Sequence, residues 1–337
     1  MRRGLFLPKS FFPVFLLFTA LLVLGAIASV LFGARSLSVQ EVLGGLFGAG
    51  EGVYEASVVQ KRVVRTVFSL CCGAALGIAG VLMQAVTRNP LADPAILGVN
   101  NGAAFFVVCG ISFFHMNTAR EYIWFALAGA LVTAVFVLGI GSMGRGGASP
   151  LKLVLAGAAT SAALSSLVTA VLIPRLNAMD EFRFWQAGSV GAGTWDSFWL
   201  LLPFLLVGAI AAAVSAPAMN ALALGDETAT GLGVKTAFMR YVAALAGVIL
   251  CGAVTAVAGP IGFVGLLSAH VIRALLGPDV RVLVPMSALA GAVILTVSDV
   301  AGRLIGRPGE LEVGVLTAFI GAPLLIMLAM KAKVRAV

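Results

Sequence analysis

Apolar residues run along this chain in long unbroken stretches rather than in alternation. No Asp, Glu, Lys or Arg interrupts residues 11–33, 66–87, 122–144, 153–174 or 197–225. A helix rises about 1.5 Å per residue, so roughly 20 such residues cross a hydrocarbon core of about 30 Å. Lipid offers no partner to an exposed backbone amide, so runs of this kind predict spanning helices. Strands of a membrane barrel would be about ten residues long and alternate in polarity, and nothing here does so.

Extending the pattern predicts an all-α, polytopic bundle forming a single transmembrane domain over residues 1–337. About ten spans are expected, near residues 12–33, 65–86, 95–114, 122–143, 153–173, 196–216, 239–258, 261–276, 281–301 and 313–331. The stretch from Tyr241 to Ile272 is too long for one helix, and Ala258-Gly259-Pro260-Ile261-Gly262 supplies its break. An internal echo joins the second and seventh spans. Gly73-Ala74 with Ile78-Ala79-Gly80 matches Gly252-Ala253 with Val257-Ala258-Gly259. Alternate crossing would run those spans in opposite directions, as in an inverted pseudo-repeat.

Composition sharpens the picture. Hydrophobic residues make up 61% of the 337 positions, charged residues 11%, and the mean hydropathy is +1.08. Soluble domains hold roughly half apolar and a quarter charged residues, so a soluble chain of this composition could not cover its surface. The basic start (Arg2, Arg3, Lys9) precedes an apolar run of 23 residues. That is too long for a secretion-signal core, and the run reads as a retained first span. Cys71, Cys72, Cys109 and Cys251 lie inside apolar runs and read as small buried hydrophobes. His115 and His270 are far apart, and no metal-ligand spacing appears.

The net charge of +8 has to be sorted by membrane side rather than read as a nucleic-acid signal. With the N-terminus inside, the cytoplasmic segments hold thirteen of the 22 Lys and Arg residues but only Asp93, Asp226, Glu227 and Asp279 among the acids. That bias follows the positive-inside tendency and places both termini in the cytoplasm.

Four segments do not look like lipid-facing helix. In residues 88–102, Pro90 and Pro94 bracket Asp93 and predict a structured cytoplasmic turn, followed by the polar Asn100-Asn101-Gly102. In residues 224–235, Asp226 is expected to cap a short helix, Glu227 to favour its positive end, and Gly231 and Gly233 to stop it. Ala229 and Leu232 would share one face, suited to a groove on a soluble partner. Lys61, Arg62 and Arg65 before the second span, and the loop from Arg303 to Glu312, put arginines on the outer side. Snorkelling to headgroups is one explanation, and pairing with an acidic external partner is the other.

Missing features also narrow the class. No Asp, Glu or Lys stands in mid-span; Asp299 lies near an outer end and His270 toward an inner one. A proton-coupled carrier usually needs such a group near the midplane. No Walker-type loop, H-E-x-x-H or nucleophile elbow occurs, so an intramembrane enzyme lacks its constellation and any energy for transport comes from a partner. A self-sufficient secondary transporter or channel is the rival reading.

Several motifs in order resemble the FecCD-type permease subunits of type II ATP-binding-cassette (ABC) importers for ferric siderophores, haem and cobalamin. They are Arg62-x-x-Arg65-Thr66, Gly80-x-x-x-Gln84-x-x-x-Arg88-Asn89-Pro90-Leu91-Ala92-Asp93-Pro94, Leu97-Gly98-Val99, Leu224-Gly225 through Leu232-Gly233-Val234, Ala258 through Leu266, and Gly314-x-x-Thr317-Ala318-x-x-Gly321-Ala322-Pro323. The resemblance covers Arg62 to Lys331 and has small departures at Lys61 and at Ala269. It implies a permease without a catalytic site, cofactor or metal of its own, in a bacterial cytoplasmic (inner) membrane. Its coupling helix falls on residues 225–233, with Gly225, Asp226, Glu227, Thr228, Ala229, Leu232 and Gly233 docking in an ABC ATPase dimer. Arg62, Arg65 and Arg303 match arginines that pair with glutamates on the two lobes of an extracytoplasmic substrate-binding protein. Asn89, Pro90 and Leu91 match one cytoplasmic gate, and Ser149, Pro150 and Leu151 fall where a second lies. The resemblance further implies a second permease, as a copy or a paralogue, facing a central path.

Overall fold

A computed structural model describes residues 10–47, 53–114, 116, 118–143 and 150–334. Ser149 lies outside these residues, as do the basic Arg2, Arg3 and Lys9. The described chain is helical: α1 Phe11–Leu31, α2 Val39–Phe47, α3 Val53–Thr87, a 3-10 turn Pro94–Leu97, α4 Val99–Phe114, α5 Ala119–Ser142, α6 Pro150–Leu172, α7 Leu176–Gln186, α8 Trp195–Ala223, α9 Asp226–Gly231, α10 Thr236–Ala258, α11 Val264–Leu276, α12 Val280–Ile305 and α13 Val313–Val334. Seven helices are long and apolar enough to cross a membrane, and α4, α11 and the start of α13 are shorter apolar helices. Each segment expected to span coincides with one of these ten helices. The short helices α2 and α7 were not anticipated, because neither carries an apolar run of spanning length.

The centre of the bundle is α3, which packs on α12, α10 and α11. Its inward face is built from small residues. A β-carbon at Gly73 would overlap the Gly291 carbonyl of α12, one at Gly77 the Ser287 carbonyl, and one at Gly80 the Gly265 carbonyl of α11. Close backbone approach replaces the hydrophobic effect as the source of helix association in lipid, because lipid tails are as apolar as the side chains. The echo noted in sequence holds in the contacts. Where α3 packs on α12 and α11, its counterpart α10 packs on α5 and α4, and Gly252 lies against Ala130 of α5. Helix α6 is the opposite case, with only 11% of its most apolar window buried.

Between α3 and α4 the chain turns back into the bundle. Arg88 takes a left-handed backbone (φ 50°), which ends α3 sharply. The Asn89 side-chain oxygen then accepts from the Leu91 amide (3.0 Å), and Asp93 caps the 3-10 turn through the Ala95 amide (3.0 Å). Asn100 already meets α10, its Oδ1 accepting from Thr255 (3.1 Å). Thr255 lies fifteen residues along α10 from Arg240, a rise of about 22 Å. Helix α4 therefore starts deep in the bundle, which is why 16 residues suffice for it.

Candidate functional site

At the end of the bundle where α8 stops, Gly225 (φ 109°) makes a turn that L side chains rarely adopt, and the six-residue α9 begins at once. The cap position belongs to Gly225, not to Asp226 as the sequence suggested. Asp226 is the first helical residue, and its carboxylate instead accepts from Arg240 Nη2 (2.9 and 3.1 Å) and from Arg88 Nη2. Arg88 Nη2 also donates to the Leu222 carbonyl (2.7 Å). Partial burial acts to raise the Asp226 pKa, but the Arg240 and Arg88 guanidiniums outweigh it and hold the carboxyl below the usual range. One carboxylate thus ties α9 to the ends of α3 and α10.

The expected shared face of Ala229 and Leu232 does not form. Ala229 is fully buried, and its amide and carbonyl bond Gly225 and Val234. Leu232 has left the helix as its C-cap and points outward, 64% exposed. A three-residue spacing places two residues on one face only while the helix continues, and this one stops at Gly231. The outward surface carries Glu227, Thr228 and Gly233 with the apolar knobs Leu224, Leu232 and Phe238. Beside it, Asp279 caps α12 through the Arg281 amide (2.9 Å) and accepts from Asn220 of α8 (2.6 Å). The Arg281 side chain, helped by Asn220, draws the Asp279 pKa down to about 2.

The Asn89, Pro90 and Leu91 turn follows directly on Arg88, so the Arg88–Asp226 ion pair links its start to α9. Pro90 and Leu91 differ in role from their expected partner segment: Pro90 and Leu91 belong to this irregular turn, whereas Pro150 and Leu151 begin α6.

The opposite end of the bundle gathers the three outer arginines, but not as an open patch. Arg303 is 1% exposed. It pairs with Asp299 (2.9 Å) and donates to the Ser29 and Phe32 carbonyls, each at 3.0 Å, and to the Ser29 hydroxyl at 2.8 Å. Arg62 donates to the Val30, Leu31 and Arg35 carbonyls at 3.1, 2.9 and 2.5 Å. These two satisfy the orphan carbonyls at the C-terminal end of α1 and staple it to α3 and α12. Arg65 grips Asp299 (2.8 Å) with one edge and Glu310 (2.6 Å) with the other. Glu310 is 40% exposed, so only that last contact faces outward. Around it is a cleft of about 250 Å³, rimmed by the exposed Arg35 and Lys61, with Arg307 nearby on the Gly33 carbonyl.

A separate cavity of about 310 Å³ lies between α4, α6 and α7, lined by Asn101, Ser165, Thr169, Met179, Phe182 and Gln186 among others. Asn101 was singled out in sequence as oddly polar for a span, and a cavity wall explains it. Helix α7 carries Phe182 and Gln186 into this wall, and sequence reasoning missed it. Its only signal is a polar, aromatic-spaced stretch between two spans. Among the described residues, no group of three or more His, Cys, Asp or Glu could hold a metal.

The pattern of the FecCD transport family matches residues 21–331. This chain belongs to the FecCD transport family. Among curated members it is 43% identical over 267 residues to the ferric enterobactin transport system permease protein FepD of Escherichia coli (strain K12), covering 79% of this chain and 80% of that one. It is 39% identical to the Fe(3+)-citrate import system permease protein YfmD of Bacillus subtilis (strain 168), covering 81% and 80%. The solved structure of a metal-chelate type ABC transporter in an inward-facing conformation superposes with a TM-score of 0.82 at 29% identity, covering 95% of this FecCD chain and 99% of that one.

Proposed function

We propose that this FecCD chain is the membrane permease of an ABC importer for a ferric siderophore, driven by a partner ATPase. Haem is a second candidate cargo and cobalamin a third. The observation that carries the reading is α9: a separate six-residue helix, pinned by Asp226 to Arg88 and Arg240, flanked by the exposed Leu224 and Leu232 and by Phe238 at the start of α10. A connector between two spans needs neither its own helix nor two ion pairs. A rigid knob that must pass force from an ATPase cleft to α3 and α10 needs both. Gly225, Asp226 and Ala229 build the knob from within, while Glu227, Thr228, Leu232 and Gly233 meet the partner.

In this reading all ten apolar helices cross a bacterial cytoplasmic membrane, both termini lie in the cytoplasm, and a second permease, a copy or a paralogue, faces the poorly buried α6. Motion of α9 reaches the Asn89, Pro90 and Leu91 turn through Arg88, and that turn with Ser149, Pro150 and Leu151 gates the inner end of the path. The hydroxyl, amide, guanidinium (Arg183) and apolar lining between α4, α6 and α7 supports passage of an intact chelate, since such groups touch a ligand shell without competing for its metal. At the outer end, a binding protein's carboxylate meets the basic cleft at Arg65, while Arg62 and Arg303 hold that cleft in shape from beneath. Alternating access then follows from contacts that differ between states.

The test is uptake of iron-55 ferric enterobactin and ferric citrate into vesicles holding the complete importer with its binding protein. Uptake that requires internal ATP, and survives collapse of ion gradients, supports the proposal. Transport that needs a gradient and no ATP would overturn it.

A further inference from the structure

A further cleft lies at the beginning of α5 and α8, about 500 Å³, lined by Arg120, Thr194, Asp196, Ser197, Trp199 and Leu200. Its chemistry is uneven in an informative way. Arg120 and Asp196 are both exposed and both line the cleft, yet neither forms an ion pair among the described residues. Along the cleft wall, the Thr194 and Ser197 hydroxyls lie 3.0 Å apart and Thr194 Oγ1 accepts from the Ser197 amide (3.2 Å), so part of their hydrogen-bonding capacity is used on each other.

The depth of the cleft is marked independently. Trp124, Trp195 and Trp199 are 52%, 45% and 63% exposed and stand within the first turns of α5 and α8. Exposed tryptophans at helix ends mark the headgroup level of a bilayer. Trp124 meets Phe204 edge-on across the two helices (6.0 Å between centroids), which ties α5 to α8 beside the cleft. Further down, Val132, Val135 and Phe136 on α5 and Val207 on α8 are exposed and apolar, a surface for acyl chains.

We propose that this cleft binds a zwitterionic aminophospholipid, with the phosphate on Arg120 and the primary ammonium on Asp196. Guanidinium and phosphate form charge-assisted hydrogen bonds, and a primary ammonium offers three N–H donors to a carboxylate. A choline headgroup has no N–H to give, and a glycerol headgroup leaves Asp196 facing net negative charge. The site therefore selects phosphatidylethanolamine over phosphatidylcholine and phosphatidylglycerol.

Native mass spectrometry of the detergent-purified full chain, exchanged against equal amounts of the three lipids and separately against inorganic phosphate, tests this. Phosphatidylethanolamine is expected to remain bound about fivefold over either other lipid, with phosphate alone not retained. Asp196→Asn should erase the preference over phosphatidylglycerol while keeping phospholipid adducts. Arg120→Gln should reduce adducts of all three, and Arg120→Lys should restore them. Equal retention of the three lipids by the unaltered chain would overturn the proposal without any variant. Retention of free phosphate at the same level, or variants that leave the adducts unchanged, would overturn it too.

Discussion

Arg303 heads the fully buried side chains of this protein, and its surroundings decide what its loss would do. Asp299 is equally buried and is shared between Arg303 and Arg65. Arg65 would still pair with Asp299 once Arg303 is gone, so the loss falls on the Ser29 and Phe32 carbonyls, and a buried polar group left unsatisfied costs about 1–3 kcal/mol. Arg303→Met should therefore lower the unfolding temperature in detergent. Glu310 is the control, since an exposed ion pair contributes less than about 1 kcal/mol. Glu310→Gln should leave thermal unfolding nearly unchanged while freeing the outward edge of Arg65. If both variants unfold alike, the division into a buried staple and an exposed edge is wrong. The sequence presents Arg62, Arg65 and Arg303 as equals, because spacing reveals that an arginine stands at a span's outer end but not which way its helix turns. Their separate roles depend on α1, whose carbonyls lie more than 25 residues from Arg62 and about 270 from Arg303.

On the scale of elements, α9 separates stability from coupling. Ala229 is buried without spare room, and overpacking of this kind costs about 1–3 kcal/mol. Ala229→Leu is expected to lower the unfolding temperature, whereas Leu232→Asp should leave it within a degree or two and act only on partner binding. Thermal unfolding followed by tryptophan fluorescence distinguishes them, and a stability loss in Leu232→Asp would place that side chain inside the fold. The α3 seam makes a parallel case. Gly80→Val forces α3 away from Gly265 and should destabilise the bundle by at least as much as Ala229→Leu. The existence of a short glycine-bounded helix at 225–233 was legible from Asp226, Gly231 and Gly233. Its orientation was not, because Leu232 sits one residue past the helical register that a periodicity argument assumes. The seam glycines were visible as composition, but which faced which is set by helix crossing, on which a single chain of letters is silent.

For the whole molecule, the ten apolar helices lie where long uncharged runs, and the break at Gly259-Pro260, predict helices, since such runs have few alternatives in lipid. The depth at which α4 begins does not follow from that pattern. Asn100 and Asn101 stand out in sequence as polar groups inside the third span with no partner evident, whereas in the structure Asn100 reaches Thr255 well along α10 and Asn101 reaches the cavity wall. An irregular segment inside a bundle is permitted where protein or a polar cavity surrounds it, and only three-dimensional neighbours reveal that. A chain of contacts runs inward from α9: Asp226 holds Arg88, Arg88 begins the turn through Asn89 to Leu91, and that turn leads to α4 and the cavity.

The account stands on α9 as the place where an ATPase engages this FecCD permease. The most direct measurement is co-purification of the tagged chain from its native membrane, with mass spectrometry of the retained proteins. The account predicts that a cassette ATPase is recovered with the unaltered chain and lost with Leu232→Asp, while a second permease is retained in both. A chain that purifies without an ATPase, or an ATPase that stays bound to the folded Leu232→Asp variant, would contradict it.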